Sequence, residues 1–296
     1  MSSKIRRMDQ PSFFQEPPKI VNVASVPQRS PFRYPGGKTW LIPRIRRWLL
    51  SRDLRPVEVV EPFAGGGIVS LTVAFEALAE YVTMVEMDEQ LAAVWRTILE
   101  EPDGAERLAE RIVSFDLSLE AVREVLDSEP TTVHERAFRT VLKNRVNRGG
   151  ILAPGASLIK AGENGKGLRS RWYPETLRKR ILDIAKIRER ITFICGDGVE
   201  IMREEADRSD VAWFIDPPYT VAAKRLYNCW EMDHAALFEV AGELAGDFLM
   251  TYDNDERVRS LAERHGFDAR EVAMKNTHHA QMTELLIGRD LTWVED

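Results

Sequence analysis

The sequence DPPY at residues 216–219 directly follows the apolar segment VAWFI at 211–215. A proline lacks a backbone N–H and has a fixed φ, and the residue before a proline is driven toward extended geometry. The corner therefore holds the Asp216 carboxylate and two carbonyls as hydrogen-bond acceptors beside the flat ring of Tyr219. Acceptors next to an aromatic plane suit a planar group that carries an amine, and an extruded nucleobase is bound in this way.

A second candidate site lies in VEVVEPFAGGGIVSL at 57–71, which predicts a strand, a glycine-rich turn and a helix. Three consecutive glycines, beginning at Gly65, can take positive φ and let a ligand approach the backbone closely. Glu86 follows the next predicted strand, 21 residues after Gly65, a spacing that suits a carboxylate bound to a ribose. Ser70 stands where a dinucleotide fingerprint has its last glycine, and no G-K-[ST] completes the turn as in a P-loop. The pattern favours an adenosine-containing cofactor over a tight turn beside an unrelated acidic residue.

Apolar, strand-like segments alternate with helical ones from residue 57 onward. This alternation predicts an α/β fold with a mostly parallel sheet and helices on both faces. In such folds ligands bind beyond the carboxyl ends of the strands, so we expect Asp216, Gly65 and Glu86 in one crevice. The predicted strands are 57–60, 81–85, 191–195, 211–215, 247–252 and 283–288.

The region from 100 to 190 interrupts this alternation. Helical segments give way there to a basic, glycine-rich passage at 142–174, whose composition favours loops and irregular turns. We therefore predict three parts. They are a flexible arm at 1–30, a sheet domain formed by 31–100 and 190–296, and an inserted domain at 101–189 that is a candidate for binding a partner.

Charge is distributed unevenly along the chain. The net charge of −6 argues superficially against a nucleic-acid partner. Residues 1–50, however, carry ten basic and two acidic side chains, and residues 136–190 carry fifteen and four. Because phosphates respond to a local patch within about one Debye length, ~8–10 Å, these segments favour nucleic-acid binding. Solvated surface charge without a partner is the alternative.

The sequence contains no apolar run near the ~20 residues that span a bilayer. Its first residues, MSSKIRRMDQ, lack the apolar stretch of a secretion signal. The two cysteines, Cys195 and Cys229, have no metal or disulfide spacing. His278 and His279 are adjacent, so on a strand they would point to opposite faces rather than share a metal. We expect a cytoplasmic protein with no bound metal and no membrane partner.

Three motifs, FRYPGGK at 32–38, EPFAGGG at 61–67 and DPPY at 216–219, occur in this order and are separated by a basic insert. In this arrangement the chain resembles the Dam-type, alpha-class DNA adenine-N6 methyltransferases over residues from about 31 to 290. The resemblance implies a Rossmann-like sheet that binds S-adenosylmethionine and a smaller, mostly helical and loop-rich insert that recognises the target. It further implies duplex DNA as the partner and allows for a cognate restriction enzyme in the same system.

The resemblance also implies a role for each matching position. Asp216, Pro217 and Tyr219 would bind the target adenine, whose N6 amine would donate hydrogen bonds to the Asp216 carboxylate and the Pro217 carbonyl during direct methyl transfer. Glu86 stands where the family more often has aspartate and would hold the ribose hydroxyls. The residues expected to contact S-adenosylmethionine are Tyr34, Gly36, Gly37, Lys38, Phe63, Ala64, Gly65, Glu86, Asp197 and Asp216.

The insert departs further from the family. Its segment KNRVNRGGILAPGAS keeps basic residues and a P-G pair but lacks the aromatic residue and the asparagine of the family's G-x-F-N-x-P-x-G stretch. The recognition sequence therefore need not be GATC.

Trp172 and Tyr173 either stack on bases or anchor the insert to its domain. Arginine and asparagine can read guanine and adenine edges, and the predicted DNA contacts are Arg145, Asn147, Arg148, Arg169 and Arg171.

Three other functions compete with a DNA methyltransferase. An RNA adenine-N6 methyltransferase would use the same DPPY chemistry on an unpaired base, and basic patches bind both polymers. A catalytically silent nucleic-acid-binding protein would not need both DPPY and the glycine turn. A nicotinamide-dependent oxidoreductase would account for the glycine turn but for neither DPPY nor the basic insert.

Overall fold

The protein has the three-layer α/β arrangement expected from its alternating segments. A computed structural model describes residues 26–33, 36–52, 54–218, 232–275 and 281–294. Within these residues seven strands form one mixed sheet. The strands are β1 (Glu58–Glu61), β2 (Tyr81–Glu86), β3 (Ile191–Cys195), β4 (Val211–Ile215), β5 (Asp247–Asp253), β6 (Asp268–Lys275) and β7 (Gln281–Gly288).

The strand order is β3-β2-β1-β4-β5-β7-β6. Strands β1 to β5 run parallel to one another, whereas β7 is antiparallel to both β5 and β6. The chain builds the sheet outward from β1 to β3 and then crosses to β4 on the other side of β1. In an open α/β sheet this reversal opens a crevice at the carboxyl ends of the two central strands, which is where ligands bind.

Ten α-helices lie in the described residues and cover both faces of the sheet. A 3-10 turn, Lys38–Leu41, precedes the first of them. The helices are α1 (Ile42–Leu50), α2 (Ile68–Glu76), α3 (Glu89–Leu99), α4 (Gly104–Ser114), α5 (Leu119–Asp127), α6 (Val133–Val146), α7 (Pro174–Ala185), α8 (Gly198–Glu204), α9 (His234–Glu243) and α10 (Glu256–Arg264). In the searched part of the chain, no helix has the length and apolar character needed to cross a membrane.

Successive residues of a strand point to opposite faces of the sheet, and β4 shows how this builds two cores. Phe214 packs on one face in a cluster with side chains of α1 to α7. Trp213 packs on the other face in a cluster with α8, α9 and α10. Because both faces are covered, β4 is a continuous apolar run and is buried at all five positions. The DPPY corner therefore begins on a rigid, fully buried strand.

The predicted α/β, Rossmann-like fold class is confirmed, and the predicted strands are found within a residue or two of their expected bounds. Strand β6 was not predicted. Its sequence, DAREVAMK, lacks a sustained apolar alternation, and among the described strands β6 pairs with β7 alone. An edge strand of this kind is specified by pairing with its neighbour more than by its own pattern.

The inserted region continues the core of the sheet. Phe115, Phe138 and Trp172 pack edge to face, with ring centroids 5.2 Å and 6.0 Å from Phe115, and belong to the cluster that reaches β1 and β2 or pack against it. Trp172 is only 8% exposed, which fits its anchoring role rather than base stacking. The domain boundary at 101–189 stays a prediction. Of the predicted arm, residues 1–25 lie outside the described residues.

Candidate active site

A cleft with a volume of about 690 Å³ opens at the carboxyl ends of the central strands. Phe63 and Gly65 follow β1, Glu86 ends β2, and Asp216 follows β4; all four line this cleft. The sites predicted separately around DPPY and around the glycine turn are therefore parts of one concave surface. Its volume is in the range of pockets that bind cofactors and small ligands, ~300–1,000 Å³.

The glycine turn after β1 is held by hydrogen bonds to the backbone of β2 and to a side chain of α3. The Ala64 N–H donates to the Val85 carbonyl at 2.9 Å, and the indole N–H of Trp95 donates to the Gly65 carbonyl at 3.0 Å. Gly67 has φ of +63°, and a Cβ at this position would lie 2.5 Å from the Met84 side chain. Only glycine fits there, because both the backbone conformation and the space exclude a side chain.

Glu86 is tied to the glycine turn through both carboxylate oxygens. Its Oε2 accepts a hydrogen bond from the Gly65 N–H and its Oε1 accepts one from the Asp88 N–H, both at 2.8 Å. Burial raises the pKa of Glu86 to about 7, although these backbone hydrogen bonds act in the opposite direction. Each carboxylate oxygen has a second lone pair, so Glu86 can accept a hydroxyl hydrogen bond while it orders the turn.

Asp197 lines the same cleft at the start of α8. Its Oδ1 accepts a hydrogen bond from the Val199 N–H at 2.8 Å and so caps the helix. Gly198 brings this helix start against the EPF motif, since a Cβ on Gly198 would lie 2.0 Å from the Pro62 carbonyl oxygen. The ends of β1, β2 and β3 thus meet at one corner of the cleft.

Asp216 is held by two donors on one oxygen. The Thr251 hydroxyl donates to Oδ1 at 2.7 Å, and the Lys38 ammonium lies 2.9 Å from the same atom. Pro217 and Pro218 line the cleft beside it. The carboxylate at the end of β4 is therefore oriented by a side chain of β5 and by a side chain of the PGGK segment.

Lys38 is a buried cation between two carboxylates. It is 2% exposed, its ammonium donates to the Gly36 carbonyl at 3.0 Å, and Glu284 Oε2 lies 3.6 Å away. Burial lowers the pKa of Lys38, but Asp216 and Glu284 outweigh it, so that the net pKa lies above its ordinary value. Lys38 therefore carries a firm positive charge inside the site.

A third buried carboxyl, Glu61, stands one strand away. Its Oε2 accepts a hydrogen bond from the Ser70 N–H at 2.9 Å and another from the Ser70 hydroxyl. Burial raises the pKa of Glu61 to about 8, and Asp216 adds to the rise while Ser70 and Lys38 oppose it. Glu61 is therefore mostly neutral at pH 7, whereas Lys38 places a positive charge beside Asp216.

Sequence reasoning missed three of these groups: Glu61, Thr251 and Glu284. All three are buried and lie beside apolar residues in strands of the sheet. A polar residue in such a strand is the signal that was available, because buried polar groups are rare unless they are paired. The sequence could not show that all three converge near one cleft.

Most of the remaining residues predicted to contact the cofactor lie among the described residues. Gly37, Ala64 and Lys38 line the cleft, and Gly36 has φ of +75°. Contact with a cofactor stays a prediction for each. The predicted residues Tyr34 and Tyr219, and the pair His278 and His279, lie outside the described residues.

The predicted DNA contacts differ in exposure. Arg148 and Arg169 are exposed, and Arg171 is half-buried at the cleft. Arg145 and Asn147 are 5% and 2% exposed, and the Asn147 amide donates to the Ile151 carbonyl at 2.8 Å. Contrary to the expectation of surface contacts, these two side chains are folded into the protein, because the end of α6 packs under the 30–33 segment and the loop at 147–151. Their contact with DNA stays a prediction, and for Asn147 it would require this hydrogen bond to open.

Comparison with known proteins connects this site to one reaction class. Residues 34–133 match the family model of the D12 class N6 adenine-specific DNA methyltransferases. On this match the protein is a methyltransferase. The match confirms the resemblance inferred from the motifs, and it includes Lys38, Gly65 and Glu86 but ends before Asp216. No curated protein matches the chain by sequence.

Several solved structures of methyltransferases are distantly similar to this chain. A protein of Pyrococcus horikoshii provisionally assigned as an RNA methyltransferase is 13% identical, with 87% of this chain and 84% of that chain covered and a TM-score of 0.39. A methyltransferase of Geobacter sulfurreducens is 15% identical, with 87% and 80% covered and a TM-score of 0.38. The precorrin-6y C5,15-methyltransferase of Geobacter metallireducens is 10% identical, with 83% and 88% covered and a TM-score of 0.36. These likenesses are too distant to carry a conclusion about substrate.

Proposed function

We propose that the protein transfers a methyl group from S-adenosylmethionine to the N6 amine of adenine in duplex DNA, after the base has been extruded from the helix. The observation that carries this proposal is the shared cleft of Asp216 and the Glu86–Gly65 turn. A group-transfer enzyme must bring donor and acceptor together in one site. The family match over residues 34–133 supports adenine N6 as the acceptor.

The cleft fits S-adenosylmethionine in size and in hydrogen-bonding groups. Phe63, Gly65 and Glu86 would hold the cofactor, with the ribose hydroxyls donating to the Glu86 carboxylate. Asp197 stands across the same corner and would face the adenine ring of the cofactor. S-adenosylmethionine would supply an electrophilic methyl group on its sulfonium sulfur.

Asp216 would activate the acceptor amine. The N6 amine of adenine is a weak nucleophile because its lone pair is delocalised into the ring. Hydrogen bonds from N6 to the Asp216 carboxylate and the Pro217 carbonyl would localise that lone pair and stabilise the positive charge that develops on nitrogen. Since Thr251 and Lys38 already orient the carboxylate, little reorganisation is needed as the charge forms.

The basic insert would bind the DNA. Arg145 and Arg171 line the same cleft as Asp216, while Arg148 and Arg169 are exposed on the insert. Arginine at these positions suits a duplex that approaches over the cleft and delivers one base into it. Tyr219 directly follows the DPP corner in sequence and would stack on the extruded base.

The test is transfer of labelled methyl from S-adenosylmethionine to unmethylated genomic DNA and, separately, to total RNA, followed by digestion of the product to nucleosides. We expect N6-methyladenine in DNA. Asp216→Ala should lower turnover by at least 10²–10³-fold, the effect of losing one preorganised group worth about 3–4 kcal/mol. Asp207→Ala removes an exposed carboxylate near the start of the same strand and is the matched control, with wild-type activity expected.

The outcomes separate the competing functions. Label in RNA alone would retain the chemistry and overturn the DNA substrate. Binding of S-adenosylmethionine without transfer to either polymer would favour a silent nucleic-acid-binding protein. Near-normal turnover by Asp216→Ala would refute the assigned role of the carboxylate.

A further inference from the structure

Four arginine side chains converge on one wall of the cleft. They come from separate parts of the chain: the segment before the PGGK motif, the end of α6, the 3-10 turn at Gly167–Arg171, and α7. All of them line the cleft that also contains Asp216, and they are Arg33, Arg145, Arg171 and Arg180. We call this cluster the four-arginine wall. The binding of a neutral base or a ribose does not require four positive charges.

Two arginines of the wall are fixed by main-chain carbonyls. Arg145 donates through Nη2 to the Pro31 carbonyl, and Arg180 donates through Nη1 to the Ser30 carbonyl at 2.9 Å. The Asn144 amide binds the backbone of Arg33 from both sides, donating to its carbonyl at 3.0 Å and accepting from its N–H at 2.8 Å. Segment 30–33 is thus clamped between α6 and α7, and the guanidinium groups of Arg145 and Arg180 are preorganised.

Arg145 is an unusual residue to bury. It is 5% exposed, and its Nε has no hydrogen-bond partner, nor has Nη1 of Arg33. Burial, together with repulsion from Arg180, Arg33 and Arg171, lowers the pKa of Arg145 to about 9. Among the described residues, no carboxylate lies within ion-pair distance of Arg33, Arg145 or Arg180. An uncompensated buried charge costs stability in the free protein, and an anion bound in the cleft would offset that cost.

We propose that the four-arginine wall is a phosphate site that binds the backbone of the strand carrying the target base, next to the nucleotide that enters the cleft. The proposal rests on the proposed function for the identity of that strand. Guanidinium groups bind phosphate oxygens through paired N–H donors. Several neighbouring guanidinium groups match consecutive phosphates better than they match the single carboxylate of S-adenosylmethionine.

Such a site would hold the strand while the base leaves the stack. Phosphate contacts fix register and orientation without reading sequence. Main-chain carbonyls already hold Arg145 and Arg180, so the ordering of these two side chains does not oppose binding. The phosphates beside the target would therefore be held while Asp216 binds the extruded base.

The experiment measures affinity for a labelled random-sequence DNA duplex at several salt concentrations, with the full-length protein. We expect Arg33→Gln and Arg180→Gln each to weaken binding about tenfold at fixed salt. Each should also reduce the slope of log affinity against log salt by about 0.9, the value for one lost phosphate contact. Arg180→Lys keeps the charge and should keep the slope. Arg178→Gln changes an exposed arginine on the same helix and is the matched control.

A second measurement works even if a variant fails to fold. Inorganic phosphate, added to the wild-type protein at constant ionic strength, should displace the DNA more strongly than chloride does. Absence of this competition would overturn the proposal. Free phosphate could also raise the melting temperature of the protein while Arg33→Gln and Arg180→Gln leave the DNA salt slope unchanged. This result would make the wall a site for a free phosphate or nucleotide and would overturn the proposal.

Two further outcomes would overturn the proposal. Unchanged DNA affinity and slope in both glutamine variants, without an effect of phosphate, would reduce the wall to a clamp for segment 30–33. Weakened binding of S-adenosylmethionine with intact DNA binding would assign the wall to the carboxylate of the cofactor.

Neither measurement depends on methyl transfer, so a failed methylation assay leaves this test intact. If RNA is the substrate, the same salt slopes are measured on single-stranded RNA.

Discussion

Thr251 donates its hydroxyl hydrogen bond to Oδ1 of Asp216 at 2.7 Å, the oxygen that also lies 2.9 Å from the Lys38 ammonium. Thr251 is fully buried in β5 and Asp216 follows the adjacent parallel strand β4. The orientation of the carboxylate is therefore decided by the register of two neighbouring strands. Thr251 thus supplies a hydrogen-bond donor to Asp216, the carboxylate that the proposed reaction needs as a fixed acceptor.

Replacing Thr251 by valine should lower turnover with little effect on substrate binding. The substitution keeps the β-branched shape but removes the donor to Asp216, so the carboxylate gains freedom in the step that it assists. We expect kcat to fall on the order of 10–100-fold, as for other groups that orient a reacting side chain, with KM for both substrates within about twofold. Thr251→Ser restores the donor and should recover most of kcat. Equal kinetics for the valine and serine variants would contradict this positioning role.

Removing the buried cation should destabilise the protein. Lys38→Met leaves Asp216 and Glu284 close to each other without the charge between them, and loss of one partner of a buried ion pair costs about 3–5 kcal/mol. Urea denaturation of the full-length protein measures the free energy of unfolding. Adding Glu284→Gln to Lys38→Met should recover part of this loss, because one of the uncompensated charges is removed. Strict additivity of the two single changes would show that Lys38 and Glu284 do not interact.

The stability of the protein should depend on pH through Glu61. Its pKa is raised in the folded state to about 8, from 4.5, so the folded protein binds more protons than the unfolded chain between these values. The free energy of unfolding should therefore fall as pH rises from about 4.5 to 8, by on the order of a few kcal/mol. Glu61→Gln keeps acceptors for Ser70 and cannot ionise. In thermal melts across this range it should show a shallower decline, because Glu86, whose pKa is also raised, still contributes. A parallel decline in both proteins would exclude Glu61 as a cause.

Binding of S-adenosylmethionine should weaken as pH falls through about 7. Glu86 has a pKa raised to about 7, and the ionised carboxylate accepts ribose hydrogen bonds more strongly than the neutral acid. We expect titration calorimetry to give tighter binding at pH 8 than at pH 6, by several-fold. Glu86→Gln should bind more weakly at pH 8 and show no such change with pH. A wild-type affinity that stays constant from pH 6 to pH 8 would refute ribose binding by the Glu86 carboxylate.

The positions of the two halves of the site could be predicted from sequence because each follows a local rule. A strand that is buried on both faces is a continuous apolar run, so VAWFI indicated where β4 ends and therefore where Asp216 stands. The three glycines from Gly65 indicated the turn after β1, and Glu86 stood at the end of the next strand. Parallel strands present their carboxyl ends at one edge of a sheet, which brought these residues together without any knowledge of side-chain contacts.

The partners of those residues could not be predicted, because they are separated by long stretches of chain. Lys38, Thr251 and Glu284 converge only through the crossover from β3 to β4 and the antiparallel return of β7. No local pattern encodes such a pairing. The burial of Arg145 and Asn147 has the same origin, since it depends on how segment 30–33 packs over the end of α6.

The sequence by itself determined the chemistry that the chain brings to each strand end: a carboxylate on a proline corner, a glycine turn and an acidic residue beside it. Backbone sterics and hydrophobic periodicity act over a few residues, so the sequence displays their consequences directly. The tertiary structure alone decided which side chains orient Asp216 and which arginines share one wall of the cleft. Those relationships depend on strand order and long-range packing, where residues more than a hundred positions apart become neighbours.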